Sequence, residues 1–371
     1  MELINATKMQ AGYTLGIDVS GREFIVVAVK GTFAFPKHPD DKPHLAEQQL
    51  PLIMSDTFSG APGFSAPIYE VDYSPSKPAC DVILIGSAYA PAGKPVTQVQ
   101  VGMKVASVIK TFMVIGDRHW ETGAVGSSPS KPQAFEQMPI TYDRAFGGVD
   151  NFHADASRHT PYMLNPVGKG YHRELDSYLV AGTPLPNTEE LNQPIRSPDQ
   201  NYKPMALGVI GRNWEPRYRY GGTYDNAWLE HEFPFLPKDF DKRYFQCAPP
   251  DQQMPYPQGG EEVVLVNLSA SGRVQFRLPK LDLAVTAFPK RGDKQELMAV
   301  IDTIVIEPDQ SSFSMTWRAN LPLRKNIFEI QQISVGKMTK AWWRAHNSGK
   351  TWYPSLAHLA QERYQIAKDD S

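Results

Sequence analysis

In residues 21–35, GREFIVVAVKGTFAF, β-branched and aromatic side chains crowd together without a helical period, and residues 79–91, ACDVILIGSAYAP, do the same before a proline. Both runs read as strands. Between residues 96 and 120 the apolar side chains fall on Val99, Val101, Met103 and Val105 with polar residues between them, and Gly116 and Asp117 follow as a turn. A two-residue period of this kind marks a half-buried strand. Residues 261–279 predict a hairpin: Val263, Val264, Leu265 and Val266 lead to a turn near Ser271 and Gly272, and Val274, Phe276 and Leu278 alternate beyond it. Residues 297–322 repeat that logic around a turn at Pro308–Gln310. Only near the C-terminus is the spacing helical: Leu356, Leu359, Ala360, Arg363 and Tyr364 follow Pro354 and predict a helix near 354–368.

The stretch from 121 to 260 behaves differently, because Pro, Gly, Asn and Asp interrupt every apolar run before it can form a long element. A disordered linker would be poor in aromatic residues. This one carries Tyr142, Phe146, Tyr162, Tyr171, Trp214, Tyr218, Tyr220, Tyr224, Trp228, Phe233, Phe235, Phe240, Tyr244 and Phe245, so it reads as ordered loops whose rings pack on something. The expected fold is mainly β, with sandwich-like antiparallel sheets, a long ordered loop layer rich in Pro, Gly and aromatic residues, and a C-terminal helix. We expect a β-rich unit over 1–320, with its loop-rich middle at 121–260, and a tail over 321–371.

Composition narrows the picture in a few places. The 32 prolines are spread along all 371 residues, which argues against long helices. Lysine and arginine total 38 against 40 acidic residues, with no long run of either sign, so the electrostatic footprint of a nucleic-acid or anionic-membrane binder is missing. No window approaches the roughly 18 apolar residues of a membrane helix, and no leader pattern opens the chain, from which we expect a cytoplasmic protein without membrane insertion. Cys80 and Cys247 stand far apart without metal-ligand spacing and read as buried thiols in a reducing compartment.

Candidate chemistry is thin. Gly147 and Gly148 in YDRAFGG (141–148 with its leading threonine) could present amides to a phosphate, but no phosphate-loop spacing surrounds them. A tight structural corner is the better reading, with Arg144 bonding carbonyls or a carboxylate such as Asp143 or Asp150. Glu230 with Glu232 and Asp239 with Asp241 would each share a face in an extended chain, as acid/base or metal work requires, and a carbohydrate-active hydrolase would use Glu230 or Glu232 with Asp239 or Asp241; solvated acids beside Lys238, Lys242 and Arg243 explain the same letters. The histidines, among them His38, His44, His153 and His159, lack zinc-site spacing. We expect no metal, no cofactor and no catalysis. Aromatic and arginine residues do gather near glycine turns, at 116–120, 211–228 and 239–252. Such rings either pin the loops to the β core or form a partner surface, and different rings can do each. A sugar-stacking platform of exposed Trp214, Tyr220 and Trp228 is a further alternative.

Taken in order, GDRHW, FEQMPITYDRAFGGVD, NPVGKGY, LPNTE, WEPRYRYGGTYDNAWLEHEFPFLPKDFDKRYFQCAPPDQ and GGEEVVLVNL resemble a bacterial family catalogued as domain of unknown function 2169. KGTF (30–33) and SAYAPAGKP (87–95) fit it too, and the resemblance covers roughly residues 26–318. Members of that family are regarded as adaptors or chaperones for type VI secretion effectors. The resemblance therefore implies a non-catalytic cytoplasmic protein that binds the N-terminal region of an effector, often one with a PAAR-like tip domain, and helps mount it on the VgrG spike. The positions that carry it are Trp120, Arg144, Gly147, Gly148, Asn165, Pro166, Gly168, Trp214, Arg217, Gly222, Tyr224, Asp225 and Trp228. Each either folds the loops or touches the partner, and the tail beyond about Leu321 lies outside the match.

Overall fold

The computed structural model describes residues 1–123, 126–173, 176–198, 200–350, 353, 355–357, 359–360 and 364. It is mainly β, as the alternating runs predict. Three larger sheets share one core. The largest has six strands in the order Gln253–Met254, Cys80–Leu84, Val300–Glu307, Ser312–Pro322, Glu23–Ala34 and Gln10–Ile17. A five-stranded sheet runs Thr188–Glu189, Val108–Ile115, Gln98–Val105, Glu262–Val266 and Arg273–Arg277. The third has Glu2–Asn5, Ile330–Val335, Ala284–Pro289 and Gln295–Met298. Pairing in these sheets is antiparallel except between Cys80–Leu84 and Val300–Glu307 and between Glu2–Asn5 and Ile330–Val335.

Alternation gives the six-stranded sheet two unlike faces. Register sets Phe313 beside Phe33, Trp317 beside Val29 and Leu321 beside Ile25, and these side chains join Val101, Phe112, Leu265, Val285 and Ile333 of the other sheets in one core. The Phe33 and Phe313 rings stack at 5.2 Å. Burying each such ring stabilises the fold by about 1.5–3 kcal/mol. On the opposite face the same register brings Lys30 beside Thr316, Thr32 beside Ser314, and Thr303 beside both Thr316 and Asp81. Lys30, Asp81, Asp302 and Arg318 are buried all the same. The segment around Asp72 meets Lys30 and Arg318, and residues 246–248 of the loop layer meet Asp81.

Three departures from the sequence reading have local causes. The run over 96–120 is not one strand: it folds back at Ala106, which takes φ 49°, so that Val105 pairs with Val108. Ala106 is not a usual signal for such a turn, and Ser107 is only a weak one. Residues 121–260 contain, besides two- to four-residue strands, short helices at Ser177–Val180, Glu215–Tyr218 and Asn226–His231. Nearer the C-terminus, Ile330–Val335 lies between the first strand of the chain and Ala284–Pro289, and a helix at Lys340–Asn347 is capped by Thr339, whose Oγ1 accepts from Trp342 N at 3.1 Å. Of the helix expected near 354–368, Leu356, Ala357, Leu359, Ala360 and Tyr364 are helical, and the remainder lies outside the described residues apart from Ser355.

Candidate docking surface

The YDRAFGG segment builds a corner. Gly147 and Gly148 take φ 148° and 108°, angles that favour glycine. Space forbids a side chain as well: a Cβ on Gly147 would lie 2.0 Å from the Asn165 carbonyl oxygen, and one on Gly148 would lie 2.7 Å from that of Gly168. The Gly148 amide donates to Asn165 O at 2.8 Å, and the buried Asn165 amide donates from Nδ2 to Tyr142 O and Phe146 O at 2.8 and 3.0 Å. These amides face protein carbonyls and present no phosphate cradle. Trp120 packs nearby with Phe146, Leu185 and Tyr202 in a second, smaller core. Arg144 does not use Asp143 or Asp150. Its Nη1 donates to Asn187 Oδ1 at 3.2 Å and sits 3.7 Å from Asp117, because Asp150 accepts from the Phe152 and Arg173 amides and Asp143 lies by Ser59.

The next motif, 211–228, divides in two at Arg217. Trp214 is buried with its ring edge-on to Tyr142 at 5.0 Å, so it cannot serve a sugar platform. Arg217 is buried too and all its directions are taken: both Nη atoms meet Glu70 at 2.6 and 2.8 Å, and further bonds reach the Ile210 and Tyr244 carbonyls. Burial works against its charge, but Glu70 raises its pKa above the ordinary arginine value. Arg212 continues the chain of pairs to Glu70 at 2.7 Å and Asp56 at 2.7 Å. Against the cost of its burial, hydrogen bonds from Arg212 and from the Val71 amide hold the Asp56 carboxyl below the usual range.

A second clamp holds the chain where it returns. Asp81, fully buried on the polar face of the six-stranded sheet, accepts from Lys77 Nζ at 2.8 Å, Gln246 Nε2 at 2.7 Å, and the Cys247 and Ala248 amides at 2.9 and 3.2 Å. Burial tends to discharge Lys77, yet Asp81 together with Cys247 and Asp302 outweighs it and raises the pKa. Cys247 is a buried thiol, as is Cys80. Burial, reinforced by Asp81, pushes the Cys247 pKa well up, so it stays protonated and poorly nucleophilic.

Between those clamps, residues 218–243 form a lobe. Asp225 caps the helix Asn226–His231 by accepting from Trp228 N at 2.9 Å, and Asp239 accepts from Thr223 N and Oγ1 at 3.0 and 2.7 Å. Gly222, at φ 84°, closes the turn against Pro237. Trp228 is the hub: its indole N–H donates to Phe235 O at 2.9 Å, Tyr224 stands edge-on at 4.8 Å and Phe233 at 5.6 Å. Arg243 lies over the Tyr220 ring at 4.2 Å and pairs with Asp241. These contacts order the lobe without covering it. Tyr224 is 57% exposed, Leu229 57% and Phe233 61%. A cluster of large apolar side chains held in place and left uncovered is the mark of an interaction surface.

The carboxylates read as a possible hydrolytic pair do not share a face here. Glu230 lies within that short helix and Glu232 caps its end, pairing with Lys238 at 2.9 Å, while Asp239 and Asp241 bind their own loop. A helical turn sends residues two apart to different sides, unlike the extended chain on which the pairing was premised. Among the described residues no group of three or more His, Cys, Asp or Glu could hold a metal ion, and no helix is long and apolar enough to cross a membrane. The clamp residues Glu70, Lys77, Asp81 and Arg212 escape sequence reasoning. A signal exists for Asp81, the lone charge of its strand, and for Lys30 and Asp302, each the charge interior to a strand whose other charge stands at its end.

Residues 20–318 match the family model described as "uncharacterized protein conserved in bacteria (DUF2169)", and the chain belongs to that family. None of the curated proteins and none of the solved structures matches it.

Proposed function

We propose that this member of the bacterial family is a non-catalytic cytoplasmic adaptor that binds the N-terminal region of a type VI secretion effector, of the kind bearing a PAAR-like domain, and helps load it onto the VgrG spike. The secretion role comes from the resemblance of the ordered motifs; the binding role is supported by the lobe. One observation carries it: Tyr224, Trp228, Leu229 and Phe233 form an ordered apolar surface while their segment is clamped at one end by the buried Arg217–Glu70 ion pair and at the other by hydrogen bonds from residues 246–248 to buried Asp81. A surface ordered before binding loses less conformational entropy on association. Near-zero net charge suits a protein partner over a polyanion.

The test is co-expression with the effector encoded beside it. The reading requires effector solubility and secretion to fall when this chain is omitted, and a complex to survive size-exclusion chromatography. Equal solubility and secretion with and without the chain would overturn it.

A further inference from the structure

We propose that the strand Gln10–Ile17 is a second contact for the same partner, which adds an extended segment to this edge as a seventh strand; this rests on the adaptor reading above. The strand is the last of the six-stranded sheet and, among the described residues, pairs only with Glu23–Ala34, without a bulge over eight residues. In an antiparallel ladder alternate residues then direct their N–H and C=O groups outward, a template for another strand.

Natural sheets blunt such edges with brevity, charge, proline or bulges. The other edges of the three large sheets follow that rule. Gln253–Met254 and Thr188–Glu189 have two residues each, Arg273–Arg277 begins and ends in arginine, Gln295–Met298 contains Glu296, and Glu2–Asn5 is four residues long with an acid at its start. QAGYTLGI has neither charge nor proline and keeps full register. Its core-facing stripe also outruns the core: Ala11 and Tyr13 pack on it, whereas Leu15 is 45% and Ile17 48% exposed.

One observation favours a partner strand over a second copy of this chain. The uncovered end of the strand leads toward the lobe. The turn that follows it places Gly21 against Phe235, whose ring would lie 2.9 Å from an added Cβ. A cargo segment with apolar residues at alternate positions could cover Leu15 and Ile17 and run on to the lobe. Main-chain bonds would supply affinity and these side chains the register.

The experiment uses the full chain and the N-terminal region of the co-encoded effector, with hydrogen exchange read on the complex and binding measured for Leu15→Lys/Ile17→Lys, a change of two exposed residues. Slowed exchange at 10–17 on complex formation, with affinity lowered about tenfold or more and an unchanged melting temperature, supports strand addition. A complex with unprotected 10–17 and wild-type affinity of the double variant overturns it and leaves the adaptor reading standing. Absence of any complex overturns both. A homodimer of the free chain, protected at 10–17 and dissolved by the double variant, overturns it in favour of self-pairing.

Discussion

Arg217 and Tyr224 stand seven residues apart in one motif, and the fold treats the two halves around them in opposite ways. On the N-terminal side, Trp214 and Arg217 are buried and every donor of the guanidinium has an acceptor. On the C-terminal side, Tyr224, Leu229 and Phe233 are held in shape by Trp228 and then left to solvent. Residue type does not decide between these fates. What decides is whether distant segments bring partners: Glu70 and the Tyr244 carbonyl reach Arg217, and among the described residues no comparable element covers Tyr224, Leu229 and Phe233. Aromatic density thus marks both the pegs and the surface, and burial tells them apart.

The comparison breaks most severely at the buried corner. Gly147→Val meets both a positive φ and a backbone oxygen that cannot move aside, and we expect more than about 4 kcal/mol of destabilisation, seen as loss of the cooperative denaturation transition. Arg217→Met comes next: it leaves Glu70 buried with Arg212 as its remaining ion-pair partner and strips two carbonyls, costing about 3–5 kcal/mol in urea unfolding.

A smaller effect tests burial through pH. Lys110 is buried against Asp251 and Gln252, with Lys203 on the far side of that carboxylate, and burial lowers its pKa to about 8 although Asp251 opposes the shift. Between pH 8 and 10 the unfolded chain keeps a proton on this lysine that the folded chain releases, so the Lys110 contribution to stability rises with pH across that window by about 1–2 kcal/mol. Cys80 and Cys247 act the other way there, and Tyr89, pushed up to about 12, and the buried Tyr142 do so above pH 10, because each keeps a proton in the fold that the unfolded chain loses. Lys110→Met removes the lysine's contribution alone; a stability difference between the two chains that stays flat between pH 8 and 10 would refute the assignment. The smallest stability change belongs to the lobe. Tyr224→Ala/Leu229→Ala/Phe233→Ala is expected to alter unfolding free energy by less than about 1 kcal/mol while abolishing capture of the effector. Loss of the fold together with binding would place these residues among the pegs.

Much of this fold is legible in the sequence because period-two patterning survives wherever one face of a strand meets the core: Glu262–Val266 and Arg273–Arg277 form the hairpin that their alternation predicts. The turn at Ala106 is hidden because Ala106 carries no turn chemistry and Ser107 only a weak signal, and Gln10–Ile17 because Gly12 and Gly16 stand where polar side chains would set off its apolar stripe. Gly147 and Gly148 were readable as a corner from residue type alone. The partners of Arg144 and Arg217 were not, since Asp117 and Glu70 come from elsewhere in the chain and pairing between distant residues leaves no local pattern.

The clamp on Asp81 has a mechanical consequence. That aspartate belongs to Cys80–Leu84, a strand with neighbours on both sides, so a tug transmitted through residues 246–248 is shared between two hydrogen-bonded ladders. A load on Gln10–Ile17 falls on one ladder alone. On the proposed adaptor reading, a partner hauled away from this molecule would therefore strain the edge before it disturbed the anchorage of the lobe.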